Sequence, residues 1–147
     1  MSRARTAVVA VVALALAGAA AALTGCDQAQ QRAGEIVASA TGAVASAAQE
    51  KMNEVKDGVN AARDVRAGPV STDGDRTVAE VTATNPDDKD ADYTIWVNFR
   101  DDRGNLLDAV VLNVNGVGPG ASGTGTARSN RALSGATEAE IAQALRH

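Results

Sequence analysis

The chain has 147 residues, of which 45% are hydrophobic and only 2% aromatic, and its formal net charge is −4. A single Cys and a single His exclude a disulfide framework and a clustered Cys/His metal site. The acidic balance argues against nucleic acid as a partner, because a phosphate backbone is bound through clustered cations.

The N-terminus has the pattern of a secretory signal peptide. Arg3 and Arg5 precede an uncharged run, residues 7–23, that consists almost entirely of Ala, Val and Leu. This run approaches the roughly 20 residues that a membrane-spanning helix needs, so the end of the run decides between the two interpretations. The small residues Thr24 and Gly25 follow it and lead directly to the only Cys. We therefore expect residues 1–25 to be a cleaved signal peptide.

The segment Leu23-Thr24-Gly25-Cys26 resembles the lipobox of bacterial lipoproteins, in which Leu and a small residue precede Gly-Cys. The resemblance implies that Cys26 receives a thioether-linked diacylglycerol and becomes the first mature residue. It also implies that the lipid bilayer holds the protein on the extracytoplasmic face of the bacterial cell membrane. Two acyl chains anchor stably, because each buried CH₂ contributes about 0.8 kcal/mol. A free or buried thiol is the alternative, and no cofactor besides this lipid is expected.

Residues 26–63 are predicted to form an Ala-rich helical tether. Apolar residues recur at steps of three and four from Val37 to Ala62, with polar residues between them. The stripe consists mainly of Ala and Val, which bury little area, and glycines such as Gly42 and Gly58 each weaken a helix by roughly 1 kcal/mol. We expect a marginal amphipathic helix that acts as a spacer. A partner-binding helix and a helix lying on the membrane are the alternatives.

Residues 64–147 are predicted to form a small immunoglobulin-like β-sandwich, because the period of the apolar residues changes to two and turn signals recur about every ten residues. The predicted strands span 76–84, 93–100, 106–115 and 124–129. The tail 138–146 is assigned as a strand, although its Ala, Glu and Gln favour a helix. The fold class is thus mainly β, an antiparallel sandwich behind a helical tether and a signal peptide.

With these turns placed, the stretch from about Asp64 to Arg146 resembles the FxLYD domain, a small immunoglobulin-like domain of bacterial lipoproteins. Its features are the Val-x-Ala-x-Asn run that ends at Asn85, the aromatic strand Tyr93–Phe99, the turn Asp102-Arg103-Gly104-Asn105 and the Pro119-Gly120 loop before a polar strand. The naming motif is loosely kept as Val97-Asn98-Phe99-Arg100-Asp101, where Val97 and Arg100 replace the Phe and the Tyr. The resemblance implies a β-sandwich without known catalytic activity.

The sequence contains few of the residue patterns that catalysis requires. The only candidate for a histidine base, His147, is the last residue of the chain. The glycine-rich segment 116–125 lacks the Lys of a P-loop. The carboxylates at 87–92 and those at 101–102 flank one predicted strand, and they lie about 26 Å apart at ~3.3 Å per residue, too far for a glycosidase pair. We therefore expect no catalytic residues.

Two features are candidate contacts for a partner or ligand. The first is the acidic loop, formed by Asp87, Asp88, Asp90 and Asp92. Its alternating carboxylates suggest a weak calcium site, but an EF-hand is excluded because Tyr93 and Phe99 occupy the positions that require Gly and Glu. The simpler interpretation is a solvated hairpin tip, and no metal ligand is assigned.

The second feature is Trp96, which by parity faces away from the other aromatic side chains of its strand. It is an exposed anchor for a partner, or it fills the sandwich core while something else covers the other face of the strand. A cation–π contact with Arg100 or a cross-strand neighbour is a third alternative, and structural packing is favoured. Together, these patterns predict a non-catalytic lipoprotein of the cell envelope that presents a β-sandwich interaction module to an unknown envelope protein or ligand. The alternative is a calcium- or small-ligand-binding lipoprotein that uses the 87–92 loop.

Overall fold

The computed structural model describes residues 41–147, so the predicted signal peptide, Cys26 and the first part of the predicted tether lie outside the described residues. Helix α1 covers residues 41–53. It is followed by β1 (Val59–Asn60), a 3₁₀ turn (Ala62–Asp64), β2 (Val65–Asp73), β3 (Arg76–Thr84), β4 (Ala91–Asp101), β5 (Leu106–Val117), β6 (Ser122–Arg128) and β7 (Ala136–Arg146).

The strands form two antiparallel sheets that pack face to face. One has four strands in the order β1-β7-β4-β5, and the other has three in the order β2-β3-β6. The predicted mainly β, antiparallel sandwich is therefore confirmed. The tail is strand β7, paired along β4 from Arg146 to Ala136. This pairing outweighs its helix-favouring composition, because strand propensity depends strongly on tertiary context.

The core lies between the sheets and follows the alternation in the sequence. Ala79, Val81 and Ala83 of β3 are buried, as their shared parity predicts. On β4 the inward side chains are Tyr93, Ile95, Val97 and Phe99, all 0% exposed. Alternate residues of β5 also pack into this core, where Val110 and Val114 are buried and Leu112 is partly buried.

Strand β6 approaches β5 closely because two of its inward positions are glycines. An ideal Cβ on Gly123 would lie 2.9 Å from Val114 Cγ1, and one on Gly125 would lie 2.8 Å from Leu112 Cδ1. Both distances are shorter than van der Waals contact, so the β5 side chains fill the space that a β6 side chain would need. The polar, glycine-rich sequence of β6 thus closes this side of the sandwich.

The predicted helical stripe is wrong beyond residue 53. Asp57 has a φ of 58°, in the left-handed region, and the helix does not continue past it. Val59, which the periodicity placed on the helical stripe, lies in β1 opposite Arg146 of β7. The backbone of Ala61 also donates to the Ala144 carbonyl at 2.9 Å. Pairing with a distant strand replaces the local helix here.

Helix α1 packs on the outward face of the four-stranded sheet. Its Ala48 and Met52 are 4% and 2% exposed, and outward residues of the sheet, such as Thr94 and Asn98, are buried as well. An added Cβ on Gly58, just after the helix, would lie 3.2 Å from Leu145 Cβ of β7. Residues 41–63 are therefore packed onto the sandwich and do not extend from it as a spacer.

Strand β2 was not predicted from the sequence. It contains Gly68 and Pro69, and its pairing with β3 is irregular between Ala67 and Val70. Proline is tolerated there because β2 is an edge strand, so one side of its backbone needs no ladder hydrogen bond. The irregular stretch also breaks the alternation on which strand prediction depends.

Candidate functional site

Trp96 lies on the outward face of β4, the face on which α1 packs. Its cross-strand neighbours are Val111 of β5 and Gln143 of β7. The indole is half-buried, and its Nε1 donates to Asn98 Oδ1 at 2.8 Å. The indole is thus held within the surface of the sheet.

The acidic loop lies between β3 and β4 and ends inside β4, which contains Asp92, and its carboxylates have different partners. Asp87 Oδ2 is 2.8 Å from Arg146 Nη2, whereas Asp92 Oδ1 accepts from the Gly116 backbone N–H at 2.7 Å. Asp88 and Asp90 are exposed. Within residues 41–147, no group of three or more acidic, His or Cys side chains is arranged to hold a metal ion.

Asn85 fixes the start of this loop. It is 0% exposed, and its Nδ2 donates to the carbonyls of Lys89 at 2.6 Å and Val117 at 2.8 Å. Its Oδ1 accepts from the Asp87 backbone N–H at 3.0 Å. The amide therefore joins the acidic loop to the end of β5. The sequence indicated Asn85 only as the last residue of the Val-x-Ala-x-Asn run.

Arg146, at the end of β7, lies at the centre of a charged cluster. Its guanidinium is 3.5 Å from Asp64 Oδ2 of the 3₁₀ turn, besides its contact with Asp87, and its side chain is only 18% exposed. The cluster thus connects the segment before β2, the acidic loop and β7. The sequence pattern does not indicate this cluster, because Asp64, Asp87 and Arg146 come from distant parts of the chain.

Tyr93 lies beside this cluster, and its hydroxyl donates to the Thr84 carbonyl at 3.1 Å. Burial raises the pKa of the Tyr93 phenol above its ordinary value, although Arg146 opposes this rise. The phenol therefore stays protonated at neutral pH, as a hydrogen-bond donor must. Tyr93 thus acts here as a structural link between β4 and the end of β3.

The structure does not bring the two predicted contact features together into one site. Asp92 and Trp96 share the outward face of β4, but four residues separate them by about 13 Å. Asp87 points to the end of β7 instead. Asp101 lies at the opposite end of β4, where it accepts from the backbone N–H groups of Arg103 and Asn105. These hydrogen bonds, with that from the Asn105 side chain as the largest cause, lower the pKa of Asp101.

A fully buried carboxylate, Asp108, also escaped sequence analysis. Its Oδ2 accepts from the Asn130 backbone N–H at 2.7 Å, and its Oδ1 accepts from Asn130 Nδ2 at 3.1 Å and from the Ala109 N–H at 2.9 Å. These contacts hold the β6–β7 connection against β5. The signal was present in the sequence, since Asp108 has the same parity as Val110 and the other inward residues of its strand.

His147, the only histidine of the chain, follows β7 and pairs with β4. Its Nε2 lies 3.1 Å from Thr94 Oγ1, and its backbone exchanges two hydrogen bonds with Asp92, each 3.0 Å long. These contacts hold the residue against the outward face of the sheet. The imidazole remains exposed.

Cys26, the predicted lipidation residue, lies outside the described residues. Within residues 41–147, no helix is both long enough and apolar enough to cross a membrane. Comparison of the chain with protein-family models, with curated proteins and with solved structures finds no match.

Proposed function

We propose that the chain is a lipid-anchored lipoprotein of the bacterial cell envelope, and that its FxLYD-like, immunoglobulin-like β-sandwich is a non-catalytic interaction module. The observation that carries this proposal is the segment Leu23-Thr24-Gly25-Cys26 at the end of an apolar run that Arg3 and Arg5 precede. Diacylglycerol on Cys26 holds the module at the extracytoplasmic face of the membrane.

The arrangement of the domain supports a binding role at short distance from the anchor. Because residues 41–63 are packed onto the sandwich, only residues 27–40 separate Cys26 from the domain. Fourteen extended residues reach at most about 50 Å, at ~3.5 Å per residue. The module therefore works close to the membrane surface, and its partners are envelope components within that reach.

Metabolic labelling with an alkyne fatty acid tests the anchor. We expect the wild-type chain to incorporate the label and to fractionate with membranes. Cys26→Ser removes the thiol and abolishes both properties, whereas Thr24→Ser keeps a small residue before Gly25 and preserves them. A wild-type chain without label, or a Cys26→Ser variant that stays labelled, contradicts the proposal.

Photocrosslinking in intact cells tests the interaction role. A photoreactive residue replaces Asp88 in the acidic loop, and the matched control replaces Arg103 in the turn at the other end of β4; both positions are exposed. We expect a discrete crosslinked product from position 88 only. If neither position, nor a third one at Trp96, gives a product, the candidate contact surfaces are wrong.

A further inference from the structure

A groove runs between helix α1 and strand β5 on the outward side of the four-stranded sheet. Small residues of the helix, among them Ala43 and Ala47, form one wall, and Ala109 and Val111 of β5 form the other. The cavity has a volume of about 440 Å³, which lies within the roughly 300–1,000 Å³ typical of small-molecule sites. Because alanine side chains end at Cβ, the helix and the sheet leave this space between them unfilled.

The walls of the groove are aliphatic over most of their length. Ala43 and Ala47 are exposed, and Val44 is half-buried, so apolar surface of the helix faces the groove at each turn. Beyond Lys51 the surface becomes polar, with Glu54, Asn113 and His147 around a neighbouring recess. The apolar part of the groove therefore lies between Ala43 and Lys51 of the helix. This apolar lining, about 12 Å long from Ala43 to Lys51 at ~1.5 Å per residue, suits part of an aliphatic chain.

The polar groups of the groove are cationic and amide groups. Lys51 and Arg128 line it together with Asn130, and none of the acidic residues between positions 41 and 147 lines it. Arg128 forms an ion pair with the exposed Asp73, which lies outside the groove. Among residues 41–147, no carboxylate forms an ion pair with Lys51. A ligand with an anionic head would thus meet Lys51, and beside it the guanidinium that Arg128 shares with Asp73, next to an aliphatic wall.

We propose that this groove binds a fatty acid, with the alkyl chain between α1 and β5 and the carboxylate at Lys51 and Arg128. The site goes beyond the proposed envelope role and does not depend on the anchor. Its two parts have separate contributions: apolar burial gives most of the affinity, and the cations select a charged head over a neutral one. Raising the ionic strength weakens the attraction between the cations and the carboxylate, because the cations are exposed to solvent.

The test uses the full chain with Cys26→Ser, so that no covalent lipid is present, and 9,10-dibromostearate as the probe. Trp96, the only tryptophan, is the reporter, because its cross-strand neighbour Val111 lines the groove and bromine quenches indole fluorescence at short range. We expect saturable quenching that unbrominated stearate reverses and stearyl alcohol does not. Absence of saturable quenching below the micelle-forming concentration overturns the proposal. Equal displacement by stearyl alcohol overturns the assignment of an anionic ligand.

Two pairs of variants locate the site. Ala47→Phe fills the groove and is expected to weaken binding at least tenfold, whereas Ser46→Phe, exposed on the same helix and not part of the groove, changes it less than twofold. Lys51→Glu is expected to weaken binding about tenfold, which corresponds to about 1.4 kcal/mol. Lys89→Glu in the acidic loop makes the same charge change elsewhere and leaves binding unchanged. Similar effects within either pair place the fatty acid outside this groove, and thermal melts identify a variant that does not fold.

Discussion

The two faces of the four-stranded sheet are covered by layers that bury very different amounts of side chain. On the inward face, Tyr93, Ile95 and Phe99 are fully buried against the other sheet. On the outward face, the fully covered apolar side chains of α1 are Ala48 and Met52. Since hydrophobic stabilisation follows the apolar area removed from water, the interior between the sheets holds the fold together. The α1 layer is the part that can open locally while the sandwich stays folded.

Removing a large side chain from the interior tests the stronger side of this comparison. Phe99→Ala leaves a cavity in the core and should lower the free energy of unfolding by about 4 kcal/mol. Chemical denaturation followed by Trp96 fluorescence measures this loss. Phe99→Leu, which keeps most of the volume, is the control and should cost much less. A loss below about 1 kcal/mol for Phe99→Ala would mean that the interior is not the main source of stability.

Truncation in the outer layer should act locally. Met52→Ala is expected to cost about 2 kcal/mol, at the low end for a buried methionine, because a helix on the outside of the sheet can partly close the gap by moving. Hydrogen exchange should show faster exchange in residues 41–53, while the amides of β4 keep their protection. Asn53→Ala, at the neighbouring exposed position, is the control. If β4 loses as much protection as α1, the two layers do not open separately.

A matched pair of glycine substitutions sharpens the contrast between the helix and its junction with the sheet. Gly58→Ala places a Cβ 2.9 Å from Val55 Cγ1 and is expected to destabilise by about 1 kcal/mol. Gly42→Ala meets nothing within 4 Å and lies in α1, so it should stabilise the helix by up to about 1 kcal/mol. Thermal melts followed by circular dichroism measure both. The same sign for the two changes would contradict the packing described at the junction.

The smallest expected effect concerns the turn between β4 and β5. Hydrogen bonds in the folded state lower the pKa of Asp101 below 3.8, so its carboxylate contributes stability above that pH and loses this contribution as pH falls through the folded-state value. The melting temperature of the wild type should therefore decrease more between about pH 5 and pH 2 than that of Asp101→Asn. Asp102→Asn, at the exposed neighbouring position, should behave as the wild type does. Identical slopes for all three proteins would show that the turn does not depend on this carboxylate.

The sequence predicted those parts of the fold in which local pattern and tertiary packing agree. Strand β3 has the predicted bounds Arg76–Thr84, and the alternating residues of β4 from Tyr93 to Phe99 share one face, which forms the core. Prediction from the sequence failed where a pairing partner far away in the chain determines the secondary structure. Val59 fits a helical period but pairs with Arg146 of β7. Strand β2 contains Pro69, which does not indicate a strand, but it pairs with β3.

The candidate sites were harder to predict than the strands. The positions of Trp96 and of the acidic loop could be predicted, because each lies on or beside a strand with a clear period. The ion pair between Asp87 and Arg146 could not, since charge alone does not indicate which cation a carboxylate reaches. The groove also escaped prediction, because it exists only where small residues of α1 face β5 across the sheet. Lys51 and Arg128, which both line it, are far apart in sequence.

The pairing of β1 with β7 has a consequence for the order of assembly. Val59 and Asn60 precede every other strand, yet their partners are Arg146 and Leu145 of the last one. Contacts between residues so distant in sequence form late, because closing a long loop costs conformational entropy, and the contact stabilises the chain only after the loop has closed. During synthesis, the segment that follows α1 therefore has no partner until β7 has left the ribosome. Newly made chain must pass through a stage in which the edge of the sheet is still incomplete.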